Sequence, residues 1–208
     1  MCGIVGAVAE RDITPLLIEG LKRLEYRGYD SAGIALLNDD TLTRIRKKGK
    51  VVELMKALDT AKVNGSIGIA HTRWATHGVP AENNAHPHIS KDRVAVVHNG
   101  IIENYEALRV KQEKQGYQFD SDTDTEVVVH QIAHYLEQGS DLLQAVTLAT
   151  QDLEGAYALG VIDTQHPEHM IAARQGSPLV VGVGEHENFI ASDAVSYTHL
   201  TLPTNREV

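Results

Sequence analysis

The sequence predicts an α+β fold built on antiparallel sheets. Three observations carry that expectation. Strand-like segments mostly neighbour other strand-like segments, helix-like segments come in groups, and no G-x-G-x-x-G turn follows a strand as a nucleotide-binding parallel sheet would require. The P-loop pattern is absent as well, because Gly49-Lys50 lacks the upstream glycine. No internal repeat or low-complexity block stands out.

The elements follow in order. Cys2–Ala9 is apolar and reads as a buried strand. Over Ile13–Tyr26, Ile13, Leu16, Leu17, Leu21 and Leu24 form one stripe, with Pro15 suited to the first turn and Gly28 to the end. Ser31–Asn38 and Thr41–Lys47 read as a strand pair across Asp39-Asp40, and Val51–Leu58 as a short helix. Gly68–Ala75 and Val94–Ile102 read as strands separated by a loop with Gly78, Pro80 and Pro87. Asn104–Gln115 is a helix with Asn104 as its cap and Gly116 as its stop. Thr123–Glu137 is a helix opened by a Thr123-x-x-Glu126 capping box, and Asp141–Leu153 is another helix. Ala156–Asp163, Met170–Arg174, Leu179–Val183 and Asn188–Ser192 read as strands in hairpins.

Composition narrows the function classes. The 208 residues are 42% apolar and only 5% aromatic, so a core of Val, Ile, Leu and Ala is expected and wholesale disorder is excluded. The formal net charge of −9 argues against nucleic-acid or anionic-membrane partners. Cys2 is the only cysteine, which precludes an internal disulfide and fits a reducing compartment. No apolar run has membrane-spanning length, and the apolar opening runs straight into Glu10, unlike a signal peptide. A cytoplasmic protein is the default expectation.

Four places could carry chemistry. Cys2 is either a small buried hydrophobe or, if Met1 is removed, a thiol that shares its residue with a free α-amine. Such an amine titrates near neutrality, as a general base and acid must. Asn99-Gly100 is either a hairpin turn or an oxyanion hole donating from the Asn99 amide and the Gly100 N–H. In His71–Gly78, Arg73 offers a fork for a carboxylate, or else is a surface arginine stacked on Trp74, the only tryptophan. Asp124 either complements a helix dipole or holds a substrate ammonium. A carboxylate fork with an ammonium acceptor would together recognise an α-amino acid.

The eleven histidines raise the question of metal. His86-x-His88 is interrupted by Pro87 and has no further ligand pair at zinc-like spacing. Glu126, His130 and His134 line one helix face, read here as solvated. No metal site and no cofactor are expected. Arg44, Arg46, Lys47, Lys48 and Lys50 read as an exposed strand and turn.

Five segments in order carry a resemblance: Met1–Gly6, Leu24–Gly33, the Arg73 segment, His98–Asn104 and Thr123–Glu126. The chain resembles the glutaminase domain of the glutamine–fructose-6-phosphate aminotransferase (isomerising) family, among the class II glutamine amidotransferases. Tyr26–Asp30 and Trp74–His77 resemble this aminosugar branch more than amidophosphoribosyltransferase or asparagine synthetase, which share the Cys2 opening. The resemblance implies an N-terminal-nucleophile hydrolase fold, an αββα sandwich of two antiparallel sheets between helix layers. It implies L-glutamine as substrate, Cys2 as nucleophile and Asn99 with Gly100 as oxyanion hole. Arg73, Thr76 and His77 would hold the α-carboxylate, and Asp124 with the Gly100 backbone the α-ammonium. Trp74 would sit on a covering loop, Arg27 and Gly28 near the nucleophile, and His86 in the pocket.

The family continues into two sugar isomerase domains that use the ammonia and dominate its homodimerisation. Residues 1–194 are expected to be the glutaminase domain. Residues 195–208 resemble translated sequencing-adapter read-through, the alternative being a native tail with an edge strand ended by Pro203. Loss of closing strands would leave sheet edges unpaired. A non-catalytic amino-acid binder, an inactive truncated fragment and the glutaminase of another amidotransferase are the rival readings.

Overall fold

The computed structural model describes residues 2–196. Met1 and residues 197–208, and with them the removal of Met1 and most of the expected non-native tail, lie outside the described residues.

Ten strands and five α-helices are present among the described residues. One sheet has six strands in the order β3-β2-β4-β1-β10-β9. These are β1 (Gly3–Ala9), β2 (Ser31–Asn38), β3 (Thr41–Lys48), β4 (Ile67–Arg73), β9 (Val180–Val183) and β10 (Glu187–Ala191). The other has four, in the order β5-β6-β7-β8, from β5 (His88–Ser90), β6 (Val94–Ile102), β7 (Gly155–Asp163) and β8 (Met170–Gln175). All strand pairs within both sheets are antiparallel. This is the expected α+β class.

Three apolar clusters define the layers. The stripe of α1 (Thr14–Leu24) and the inner face of α2 (Val51–Ala61) bury Leu17, Leu21 and Leu54 against the six-stranded sheet. Ile4, Leu37, Ile69, Val97, Ile162 and Ile190 fill the space between the sheets. Helices α3 (Tyr105–Lys114), α4 (Thr125–Glu137) and α5 (Leu142–Asp152) cover the four-stranded sheet, with Val128, Ile132, Val146 and Leu159 in contact. The result is the expected helix–sheet–sheet–helix sandwich, with an aliphatic core as composition requires. A short turn at Ala194–Ser196 packs on α1.

Several local expectations fail for a common reason. The Thr123–Glu126 capping box does not form, and α4 starts at Thr125 without a side-chain cap. Glu126 instead accepts from the N–H groups of Asp120 (3.0 Å) and Ser121 (2.8 Å), while Thr123 bonds Ser121 and His88. Asn104 stands at the α3 N-cap, but its side chain bonds the Asp152 carbonyl (2.8 Å) and the Glu154 N–H (3.1 Å). The Glu126, His130, His134 stripe is not solvated at its first two positions. His130 is buried between Ser90 (2.9 Å) and the Gln118 carbonyl (3.1 Å). The basic strand is also less exposed than expected, since Arg44 and Arg46 are half-buried and Arg46 donates to the carbonyls of Asn83 and Ala85 (3.0 Å each). At α5 a cap beyond those expected is present: Asp141 accepts from the Gln144 N–H at 2.8 Å.

Candidate functional site

The site forms where one end of each sheet meets the other. In the six-stranded sheet, β1 and β4 run antiparallel with Gly3 opposite Thr72, so Cys2 lies beside the end of β4. The Trp74 N–H donates to the Cys2 sulfur at 3.2 Å, and the thiol lies 3.5 Å from the Trp74 carbonyl. Burial pushes the Cys2 thiol up from its ordinary pKa, and the Trp74 N–H only partly offsets that. The thiol is therefore protonated at neutral pH and needs a base to become a nucleophile.

The second sheet supplies Asn99 and Gly100. They do not form a hairpin turn. Strand β6 runs through them, with Asn99 opposite Ala158 and Gly100 opposite Tyr157. Gly100 has φ +126°, and a Cβ there would collide with the Ala156 carbonyl oxygen, so only glycine fits. The Asn99 amide nitrogen donates to the Cys2 carbonyl at 3.2 Å, and its oxygen lies 2.9 Å from His71 Nε2.

Asp124 is 4% exposed and accepts the Ile102 N–H at 2.9 Å, with its other oxygen 3.9 Å from His77 Nδ1. Arg73 is 3% exposed, not a surface arginine. Its guanidinium donates to the carbonyls of His77, Gly78 (3.3 Å) and Val79 (3.4 Å), and lies 3.9 Å from Asp30. Thr76 is exposed on the same loop. The Trp74 indole, half exposed, lies over Gly28, whose φ of +71° and closeness to the ring both suit glycine; a Cβ would be 2.9 Å from the indole. Arg27 pairs with Asp193 at 2.5 Å and reaches the Cys2 carbonyl at 3.4 Å.

His86 belongs to a buried group of four histidines behind the site. Its ring stacks on His71 with centroids 4.2 Å apart, accepts the His98 N–H at 3.2 Å and meets Thr125 Oγ1 at 3.2 Å. His88 packs edge-on against it at 5.0 Å. Burial is the main cause holding all four well towards the neutral form, with His71 pushed down to about 3. Among the described residues, no group of three or more His, Cys, Asp or Glu is placed to hold a metal ion.

Two spaces open at Cys2. One is a cleft of about 290 Å³ bordered by Cys2, Trp74, Asn99 and Pro178. The other is a recess of about 10 Å³ among Cys2, Arg73, His77 and Asp124. A larger groove of about 490 Å³ between α1 and α2, lined by residues such as Ile18, Lys22, Met55 and Leu58, shares no residue with the spaces at Cys2.

Further residues at the site carry no local signal in the sequence. Asp30 accepts the Ala75 N–H at 2.5 Å and so anchors the start of the Trp74 loop. Asn84, fully buried, donates to the Val79 carbonyl (3.0 Å) and accepts the Asp122 N–H (2.9 Å), tying that loop to the segment leading to Asp124. Both belong to residue types common in turns, and only their distant partners set them apart. Among the described residues, no helix is long and apolar enough to cross a membrane.

The comparisons with known proteins bear on this geometry. The family model described as a glutamine amidotransferase domain matches residues 71–197. A glutamine–fructose-6-phosphate aminotransferase (isomerizing) of Pseudomonas syringae pv. tomato is 59% identical over 202 residues, 97% of this chain and 33% of that protein. Its namesakes in Acinetobacter baylyi and Pseudomonas aeruginosa are 59% and 58% identical, each again covered over 33% of its length. The chain thus spans about a third of the length of these relatives. Among solved structures, a glutamine phosphoribosylpyrophosphate amidotransferase from B. subtilis superposes with a TM-score of 0.81 at 28% identity, over 94% of this chain and 43% of that one. A glutamine aminotransferase class-II domain protein from Silicibacter pomeroyi shares the fold, with a TM-score of 0.63 at 16% identity over 91% of this chain and 88% of its own. With more than half its residues matched by the family model on this sandwich, the chain belongs to the glutamine amidotransferase domain family.

Proposed function

We propose that this chain is a glutaminase, which hydrolyses the side-chain amide of L-glutamine to glutamate and ammonia through a thioester on Cys2. The observation that carries the reading is the convergence on Cys2 of Asn99 and Gly100 from one sheet with Arg73 from the other, and of Asp124 from the start of α4.

The chemistry follows from the geometry. The thiol is held protonated by burial, so the reaction needs a base next to it. Removal of Met1 would supply one, the α-amine of Cys2 itself. That amine takes the thiol proton as sulfur attacks the amide carbon. The oxyanion rests on the Asn99 amide and the Gly100 N–H, either of which typically contributes about 10²–10³ in rate. The protonated amine then gives its proton to the departing nitrogen, and ammonia leaves. Water, activated by the same amine, releases glutamate and restores the thiol.

Arg73 would take the substrate carboxylate and Asp124 its ammonium, with Thr76 and His77 beside them. At about 10 Å³ the recess holds no more than about one water. Glutamine therefore enters by displacing loop carbonyls from Arg73, with Trp74 moving on the same loop. Arg27 and Gly28 border the nucleophile, and His86 backs the pocket.

The relatives' name supports fructose 6-phosphate as the ammonia acceptor in a longer parent. By the resemblance, that parent would form glucosamine 6-phosphate on sugar isomerase domains that also carry its homodimerisation. The 59% identity to these relatives favours them over the phosphoribosyl branch at 28%. The lone cysteine and acidic balance support a cytoplasmic enzyme without nucleic-acid partners. Residues 1–194 are the glutaminase domain in this reading.

The test is intact mass after exposure to 6-diazo-5-oxo-L-norleucine, with glutamate release measured in parallel. Loss of Met1, one adduct and steady glutamate release are expected, all but the first abolished in Cys2→Ala. Substantial turnover by Cys2→Ala would sink the thioester mechanism.

A further inference from the structure

We infer that His71 is a positioning residue for the oxyanion hole: its ring N–H holds the Asn99 amide with the NH₂ turned toward the reacting centre. The inference rests on the glutaminase reading of Cys2 and Asn99.

The hydrogen-bond inventory leaves one consistent assignment. The Cys2 main-chain carbonyl, which can only accept, lies 3.2 Å from one end of the Asn99 amide. That end is therefore the NH₂. The other end is the amide oxygen, which also only accepts, and it lies 2.9 Å from His71 Nε2. His71 must then be the tautomer with its hydrogen on Nε2. One Asn99 hydrogen is spent on the Cys2 carbonyl, and the second remains for the oxyanion. A half-turn of the amide would present an oxygen to the developing negative charge, replacing donation with repulsion.

His71 is built to resist that half-turn. It sits on β4, one strand from the nucleophile and opposite Ile4, whereas Asn99 sits on β6 of the other sheet. Their bond thus joins the two sheets at the site. The ring is fully buried and stacks on His86 at 4.2 Å and 18°, and His86 is itself fixed by the His98 N–H and Thr125. Burial keeps the ring neutral, so the N–H comes without a permanent positive charge.

The test compares His71→Phe, which keeps a stacked ring but has no N–H, with His71→Gln, which restores an N–H donor. In the 208-residue chain, His71→Phe should lower kcat by between about tenfold and the 10²–10³-fold cost of deleting an oxyanion donor. KM for glutamine should stay within about threefold, as for a contact used only in the transition state. His71→Gln should recover part of the loss. In an Asn99→Ala background, His71→Phe should cost no more than about a further twofold, because it acts through Asn99. Where His71→Phe does not fold, His71→Met, equally without a polar hydrogen, takes its place in the same cycle. An unchanged kcat, a KM rising in step with the kcat loss, or equal costs in both backgrounds would overturn the proposal while the wild type still hydrolyses glutamine. A wild type that releases no glutamate overturns the glutaminase reading and this proposal together.

Discussion

Mild acid should destabilise this domain through the histidines behind its site. His71, His86 and His88 are fully desolvated, and burial is the leading cause that depresses each; His71 is held down to about 3 and the other two well below the ordinary value. In the unfolded chain each titrates near 6.5. Below that pH the unfolded state binds protons that the folded state refuses. Stability is therefore complete above about pH 6.5 and is lost as pH falls. Between about pH 7.5 and 5.5, each histidine that stays neutral in the fold costs about 1.4 kcal/mol, so the three together cost about 4 kcal/mol. His98 and His130, lowered for the same reason, add in the same direction.

That sum is large beside the roughly 5–15 kcal/mol of a typical domain. Urea unfolding followed by circular dichroism, at fixed ionic strength across this range, reads it directly. The stability should fall with a limiting slope of about three protons or more near pH 5.5. Carboxylates do not interfere, since their ordinary values lie near 4. His88→Gln, which removes one titrating ring from both states, should reduce the slope by about one proton. A midpoint that stays level from pH 7.5 to 5.5 would show that the fold does not hold these rings neutral, and so would their titration near 6.5 in the native protein.

Two further outcomes follow from the site's scaffolding. Gly100→Ala forces a side chain into positive φ against the Ala156 carbonyl, and should cost about 1–3 kcal/mol in thermal stability together with most of the glutaminase rate. A variant with unchanged melting and kcat would show that the strand tolerates a Cβ there. Asn84→Ala frees the Val79 carbonyl and the Asp122 N–H, so it should raise KM for glutamine more than it lowers kcat, while costing about 1–3 kcal/mol of stability. An unchanged KM would separate the covering loop from substrate binding.

Periodicity made most of the fold legible. The Leu16, Leu17, Leu21 and Leu24 stripe buries as its spacing requires, and the Ser31–Asn38 and Thr41–Lys48 hairpin closes at Asp39-Asp40. These are patterns in which each residue's role depends on neighbours within a few positions. Short polar motifs behaved differently. Thr123, Glu126 and Asn104 sit where caps belong, but each side chain found a partner outside its helix: a buried hydroxyl and imidazole, loop N–H groups, or the last carbonyl of α5. A local rule assigns such a side chain to the nearest free N–H, and a distant partner can take it instead. The His130 face follows the same logic, since a helix packed on several sides has no solvated stripe to offer.

The candidate site lies between these two cases. Cys2, Asn99, Gly100, Arg73 and Asp124 were nameable because each residue type is suited to one step of amide hydrolysis. Their neighbours Asp30, His71 and Asn84 were not, because nothing local sets them apart from turn or strand residues. Parity along β6 shows why the difference matters. His98 bonds Thr125 at the head of α4, while Asn99, the next residue, reaches across to Cys2 and His71 on the other sheet. A slip of one residue in the pairing of β6 with β7 would exchange the two faces, sending the amide to the helix layer and a histidine to Cys2. The register that buries Val97 between the sheets and Val96 under the helices is therefore the same constraint that aims the Asn99 amide at Cys2, so core and site rest on one choice of strand alignment.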